Sequence, residues 1–299
     1  MSDVDLQSDR FETYREAGDI LSTVMAEAEE MVEPGTTHLE VAEYAEDRIE
    51  ELGGEPAFPV NISVDEEASH ATPAPDDDAT FEDGMVCLDV GVHVDGWIAD
   101  AAKTVDLSGN PDLVEAAEAA LDAALDVVEP GAHTGEVGTA IEETIEAHDY
   151  NPIVNLSGHG LDHYDAHTEP NVPNRAAGSG VEFEPGMVFA IEPFATTGSG
   201  KVNEGSKTQI YEVLEERSVR DRRARQLLEE ASEEFSGLPF AKRWLSGSRL
   251  DVSLRRLERA DVVRSYPVLK EDEGALVSQA EHTVIVTEDG CEVTTDGIF

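Results

Sequence analysis

Asp89 and Asp100 are the residues whose placement first asks for chemistry. They bracket the stretch Asp89-Val90-Gly91-Val92-His93-Val94-Asp95-Gly96-Trp97-Ile98-Ala99-Asp100. Val90, Val92 and Val94 alternate with Asp89, Gly91 and His93, the period of a half-buried strand. Asp95-Gly96 supplies a two-residue hairpin turn, since Gly tolerates positive φ and Asp visits it more readily than most residues. With that turn as the loop, Val94 faces Trp97, Gly91 faces Asp100 and Asp89 faces Ala102. Asp89 and Asp100 then point to one face as diagonal neighbours, roughly 5–8 Å apart. Gly91 leaves space beside Asp100. Two carboxylates aimed into one pocket share a proton, meet an Arg or Lys, or hold a cation. The plain alternative is a solvent-facing strand in an acidic protein. The apolar flanks Met85-Val86-Cys87-Leu88 and Trp97-Ile98-Ala99 argue for burial, and therefore for a metal site.

Three further donors stand in similar settings. His159 closes Asn155-Leu156-Ser157-Gly158-His159, which reads as a strand ending in a turn of small residues. Glu192 interrupts the apolar run Val188-Phe189-Ala190-Ile191-Glu192-Pro193, and Glu281 lies in the strand-like Gln279–Val286. A carboxylate in so apolar a run is seldom buried without a partner. For each alone the plain alternative holds: an ion-paired Glu, or a hydrogen-bonded loop His. Together, two Asp, one His and two Glu on strands make a candidate metal-ligand set.

The elements that must position these residues repeat. Residues 9–32 carry apolar side chains at helical spacing, Phe11, Tyr14, Ala17, Leu21, Val24 and Met25, and end at Pro34-Gly35. Thr37 with Glu40 predicts a capping box for a second helix, which runs to Gly53-Gly54. A strand follows over 58–63, then a polar, Pro-rich loop over 64–80 that contains His70. The second copy has a helix over about 111–128 and another after Glu129-Pro130-Gly131, the echo of Glu33-Pro34-Gly35. Asn155-Leu156-Ser157 echoes Asn61-Ile62-Ser63, and Phe183-Glu184-Pro185-Gly186-Met187-Val188 echoes Phe81-Glu82-Asp83-Gly84-Met85-Val86. Three matches in order predict a duplicated helix-helix-strand unit around a shared sheet, with a site between the halves. After it, residues 212–238 read as helical and Ser253–Ala260 begins another helix.

The chain of 299 residues is 40% hydrophobic, enough for one large domain or two smaller ones. No apolar run approaches a membrane span and the first residues lack a signal peptide's pattern, so a cytoplasmic location is expected. Cys87 and Cys291 sit in strand-like segments and are expected to be core residues, not a disulfide or a zinc pair. The charge is extreme: 66 acids against 20 bases, net −46, with the acids spread over the whole length. Such a surface repels itself unless salt screens it, which predicts a salt-adapted protein and argues against general nucleic-acid binding. Eleven of the fifteen arginines fall between Arg217 and Arg264. A ribosome contact is one reading of that segment. The favoured one is an insert docked by ion pairs onto its acidic parent.

The words Phe58-Pro59-Val60-Asn61, Leu88-Asp89-Val90-Gly91-Val92-His93, Asn155 to His159, Ala190-Ile191-Glu192-Pro193-Phe194 and Glu281-His282-Thr283 resemble the methionine aminopeptidases, in particular their archaeal type 2 branch. The likeness covers nearly the full length. It implies the α+β pita-bread fold, built from a duplicated unit over 1–205 and 265–299, with a small helical, winged-helix-like insert over 206–264. It implies removal of the initiator methionine from nascent chains when the second residue is small. It also implies two divalent ions, Co, Mn, Fe or Zn. Asp89 would chelate one ion, His159 and Glu192 the other, and Asp100 and Glu281 would bridge. Paired ions lower the pKa of a shared water and steady a tetrahedral oxyanion. By the same resemblance Glu192 relays the proton, His70 and His167 contact the substrate, and Phe58 walls the methionine pocket. The sequence departs from the family pattern at Ala280, where an aromatic is usual, and at the Ile298-Phe299 end, where a Tyr is often near. The expected partners are nascent N-termini, with no membrane and no specific nucleic acid, and the protein itself is expected to be a monomer. Alternatives are an Xaa-Pro peptidase on the same fold and a non-catalytic binding protein.

Overall fold

The computed structural model describes residues 6–215, 217 and 219–299. Helix α1 (Asp9–Glu29) buries Phe11, Tyr14, Leu21, Val24 and Met25 along one stripe and stops three residues short of the expected 32. Helix α2 (His38–Glu51) starts where its capping box places it. The Glu40 N–H donates to Thr37 Oγ1 at 3.1 Å, and Glu40 Oε2 accepts from the Thr37 N–H at 3.0 Å.

Strands Met85–Val94 and Trp97–Asp106 pair as the turn predicts, with Val94 opposite Trp97, Gly91 opposite Asp100 and Asp89 opposite Ala102. Asp95 and Gly96 take φ of 47° and 84°, the left-handed pair a tight hairpin requires. Alternation then divides the hairpin cleanly. Val86, Leu88, Val90, Val92, Ala99 and Ala101 face the core made with α1 and α2. Cys87, Asp89, Gly91, Asp100, Ala102 and Thr104 share the opposite face. Strand Asn61–Val64, shorter than the expected 58–63, lies beside this hairpin with Asn61 opposite Asp89.

The sequence echoes are structural echoes. In the first copy the Gly35 N–H donates to Phe81 O at 3.0 Å, and in the second the Gly131 N–H donates to Phe183 O at 3.0 Å. Each joint is followed by an isolated bridge, Thr37 to Thr80 and His133 to Glu182. Helices α3 (Pro111–Leu125) and α4 (Thr134–Ala147) pack Leu113, Ala120, Val137 and Ile141 against Phe183 and Phe189. Their sheet runs in the order Cys291–Val293, His282–Val286, Val188–Ile191, Ser157–Asp162, Asp165–Pro173. The halves meet at the hairpin. Thr283 Oγ1 accepts from the Asp100 N–H and donates to Asp100 O, both at 2.8 Å, and the Glu281 N–H donates to Ala102 O at 2.9 Å.

Three expectations are corrected. Asn155 to His159 does not end a strand: Ser157–Asp162 begins there and His159 lies inside it. Gln279–Val286 is two strands, Val277–Gln279 and His282–Val286, broken where Glu281 crosses to the first half. Residues 212–238 are not one helix. Strand Asn203–Val213 runs into this region, and α5 occupies only Arg222–Phe235. Register shifts after Glu204 and Thr208 break the strand's period of two, which hides it from a pattern search. Helix α6 (Leu250–Glu258) covers most of the last predicted helix.

Around α5 and α6 lies a separate apolar cluster of Tyr211, Leu227, Leu228, Phe240, Leu254, Leu257 and Val263. Strand Asn203–Val213 pairs with Val263–Lys270, which pairs in turn with Glu67–Ser69, the strand that leads into His70. Arg243 ion-pairs with Glu46 of α2 and donates to Thr72 Oγ1 at 2.7 Å and Pro73 O at 3.2 Å. Glu46 also accepts from the Trp244 Nε1–H at 2.9 Å and the Val60 N–H at 3.1 Å. Both cysteines are free and lie in strands. Among the described residues no helix is long and apolar enough to cross a membrane.

Candidate metal centre

The hairpin face, the second-half sheet and the break after Gln279 converge on one cavity of about 190 Å³. Its walls include Asp89, Asp100, His159, Glu192 and Glu281, together with Phe58, His70 and His167, so all eight residues singled out in the sequence come together. One donor atom each from Asp100, His159 and Glu281 lies within 4.8 Å of the other two. His159 Nε2 stands 3.8 Å from Asp100 Oδ2 and 3.8 Å from Glu192 Oε1. Asp89 Oδ2 accepts from the Asn61 Nδ2–H at 3.3 Å. Asp89 Oδ1 and Asp100 Oδ1 are buried with no hydrogen-bond partner.

Four carboxylates meet here with neither Lys nor Arg among the lining residues. Burial pushes Asp89 up to about 7. Asp100, Glu192 and Glu281 are driven well above the ordinary carboxylate range, first by burial and then by a neighbouring charge, Asp89 for Asp100 and Asp100 for Glu192 and Glu281. Burial lowers His159 to about 4, so its imidazole is neutral at pH 7 and free to donate a lone pair. Orphaned buried oxygens beside a neutral imidazole are the signature of a site completed by a cation. A set of hard oxygens and one nitrogen fits a divalent ion of the Mn, Fe or Co kind better than a thiolate-rich structural zinc site.

The profile of metallopeptidase family M24 matches residues 12–288. The chain belongs to metallopeptidase family M24. A methionine aminopeptidase of Archaeoglobus fulgidus is 51% identical over 281 residues, covering 94% of this chain and 96% of that protein. Among solved structures, a thermophilic Arx1 superposes with a TM-score of 0.86 at 19% identity, covering 97% of this chain and 91% of that one. A methionine aminopeptidase of Thermotoga maritima does so with 0.71 at 23% identity, covering 98% and 99%. These two likenesses are of fold, the α+β pita-bread architecture whose two halves were described above. Divalent metal binding follows from M24 membership together with the buried Asp/His/Glu cluster.

Around these acids and His159 stand neutral groups. His70 takes a left-handed φ of 63°, and its Nδ1 lies 3.3 Å from Pro267 O, an acceptor that assigns the proton to Nδ1. Burial lowers His70 to about 4 and His167 to about 3. Tyr266 holds the two: its ring is edge-on to His70 at 5.1 Å and stacked on His167 at 6.2 Å, while its hydroxyl donates to Glu212. Sequence reasoning missed Tyr266, which follows the arginine-rich segment and carries no motif of its own. It missed Asn61 and Gln279 as well, because primary amides look like any polar surface residue. Ala280 and Phe299, the two positions read as departures from the resembled pattern, are not among the cavity's lining residues. Ala280 is in the second-half core and Phe299 packs on His282, with ring centroids 4.9 Å apart.

The space that Gly91 leaves beside Asp100 is filled by Phe58. A Cβ at position 91 would fall 2.2 Å from Phe58 Cε1. Gly91→Ala should therefore push the ring into the cavity. The expected stability loss is about 1–3 kcal/mol, in the range of an overpacked core. Thermal unfolding measures it, and an unchanged midpoint would mean that Phe58 swings away freely.

Proposed function

We infer that this chain removes the N-terminal methionine from polypeptides, acting on nascent chains and preferring a small second residue. Five donors gathered in one cavity on an M24 scaffold carry this reading, and the methionine aminopeptidase relative matched along nearly its whole length gives it its substrate. We assign two divalent ions to the site, of the Mn, Fe, Co or Zn kind. Asp89, Asp100, His159, Glu192 and Glu281 would be the residues that hold them. Bound ions of this kind supply the Lewis acidity that makes water a nucleophile at neutral pH and steadies a developing oxyanion. The chain does the rest. Glu192 takes the proton from the attacking water and hands it to the leaving amine. His70 and His167, both neutral, hydrogen-bond the substrate amide, and Phe58 walls the methionine side chain. We take residues 206–264 as an inserted subdomain on a catalytic domain of 1–205 and 265–299. Its own apolar cluster and the buried Arg243–Glu46 pair support that division.

The assay that tests this uses chelated protein, with metals added back singly in molar KCl, on Met-Ala-Ser and on an Xaa-Pro peptide. Metal-dependent release of methionine from the first alone is expected. Cleavage of the second alone would make the chain a proline-specific peptidase, and cleavage of neither a binding protein.

We further place the protein in a cytoplasm rich in salt and expect it to act as a monomer. With a net charge of −46, self-repulsion opposes the compact state until counterions screen it. The denaturation midpoint should climb steadily as KCl rises from millimolar to molar. A midpoint indifferent to KCl would remove the salt-adapted reading.

A further inference from the structure

Gln279 is almost fully buried and is absent from the cavity walls, yet it touches two of the four carboxylates. Its Nε2 donates to Glu281 Oε2 at 2.9 Å and lies 3.5 Å from Glu192 Oε2. With no Lys or Arg among the lining residues, amides are the side-chain donors these acids have: Asn61 for Asp89, and Gln279 for Glu281 and Glu192. An amide can aim a carboxylate without neutralising it, so the charge remains for a cation. A Lys or Arg in the same place would compete with that cation.

Gln279 is itself held in place by the hairpin. Cys87 and Thr104 sit directly opposite each other in the hairpin, on the face that carries Asp89 and Asp100. The Cys87 thiol donates to Gln279 Oε1 at 3.2 Å. Thr104 Oγ1 accepts from the Gln279 N–H at 2.9 Å and donates to Gln279 O at 2.7 Å. An amide has two orientations that differ only in which end is the donor. Carboxylates accept, and a thiol donates. The acids on one side and Cys87 on the other therefore select the same orientation, the one with Nε2 toward Glu281 and Glu192.

We propose that Gln279, clamped by Cys87 and Thr104, is the positioning residue that fixes Glu281 and Glu192 relative to each other for metal uptake and proton relay. This rests on the ligand assignment above. Outer partners of metal-ligating groups are worth about 10–100-fold in affinity or activity.

Mn²⁺ titration of the chelated full-length protein tests it, alongside kinetics on Met-Ala-Ser. Gln279→Met keeps the length and apolar stem and removes the amide. It should weaken Mn²⁺ uptake by about 10–100-fold and lower kcat with little change in KM. Cys87→Ala should move both quantities in the same direction by less, and Cys87→Ser, which restores a donor, should recover them. Parental Mn²⁺ affinity in folded Gln279→Met overturns the proposal, as does a Cys87→Ser variant as impaired as Cys87→Ala. Should Gln279→Met fail to fold, the two Cys87 variants decide, since both retain the amide. Asp100→Asn separates this from the ligand assignment itself. Uptake unaffected there overturns both. Uptake lost in Asp100→Asn but kept in Gln279→Met overturns the positioning role alone.

Discussion

Asp100→Asn should abolish methionine release and, in the metal-free protein, raise stability. Asp100 is 3% exposed, and Asp89, Glu192 and Glu281 line the same cavity. Its carboxyl is raised well above the ordinary range by burial first and Asp89 second. A carboxyl raised in the folded state holds its proton more tightly there than in the unfolded chain. The unfavourable contribution is absent below the usual carboxylate pKa of about 4 and grows as pH climbs through the window to the folded value. For Asp89 that window closes at about 7. Between about pH 5 and pH 8 the chelated Asp100→Asn variant should therefore gain stability in urea relative to the chelated parent, a difference in which the buried histidines, lowered to about 4 or below and acting in the opposite sense in both proteins, drop out. Glu192→Gln should do likewise and cost about 10²–10⁴-fold in kcat, the range for a lost general acid or base. Activity within tenfold of the parent in both variants would remove the mechanism. A stability gap between Asp100→Asn and the parent that does not widen with pH would remove the electrostatic account.

The hairpin was readable because local chemistry determines it. Asp95-Gly96 admits one tight turn, the turn sets the register, and the register places Asp89 and Asp100 on one face. Glu192 and Glu281 were readable as carboxylates in apolar runs, and His159 as a histidine at a run of small residues, although the spans around His159 and Glu281 were misjudged. Ser157 to Asp162 is rich in small residues, and its pairing shifts register after Gly158 and Gly160, so it lacks a strand's alternation. The break at Glu281 depends on a hydrogen bond to Ala102 in the other half, which no local window contains. Tyr266 and Gln279 were invisible for a related reason. Each acts through groups distant in sequence: Tyr266 through His70 and His167, Gln279 through Cys87 and Glu192. The favoured reading of the arginine-rich segment, docking by ion pairs, narrows among the described residues to one buried pair. Arg243 makes it, while Arg256 pairs within the segment with Asp221.

Glu46→Ala should be the most destabilising single change outside the metal site. Glu46 is 8% exposed, and burial outweighs the attraction of its partner: it raises Glu46 and lowers Arg243, each against the pull of the other's charge. Such a pair adds little net stability, but removing one member strands the other, at about 3–5 kcal/mol. The Val60 N–H and the Trp244 Nε1–H lose their acceptor as well. Replacing both ions with apolar side chains, Glu46→Leu with Arg243→Met, should recover part of the loss. Full recovery is barred because Val60, Trp244 and Thr72 keep unmet hydrogen bonds. The damage should also reach the site. Val60 precedes Asn61, the donor to Asp89, and its carbonyl accepts from Thr72 Oγ1, two residues past His70. Glu46→Ala should thus raise KM for Met-Ala-Ser as it lowers the calorimetric midpoint, and the double variant should restore the midpoint more than the KM. Equal recovery of both would mean that the cluster serves only to dock the arginine-rich segment. No loss of stability in Glu46→Ala would mean that water reaches Arg243 and the pair is not the anchor.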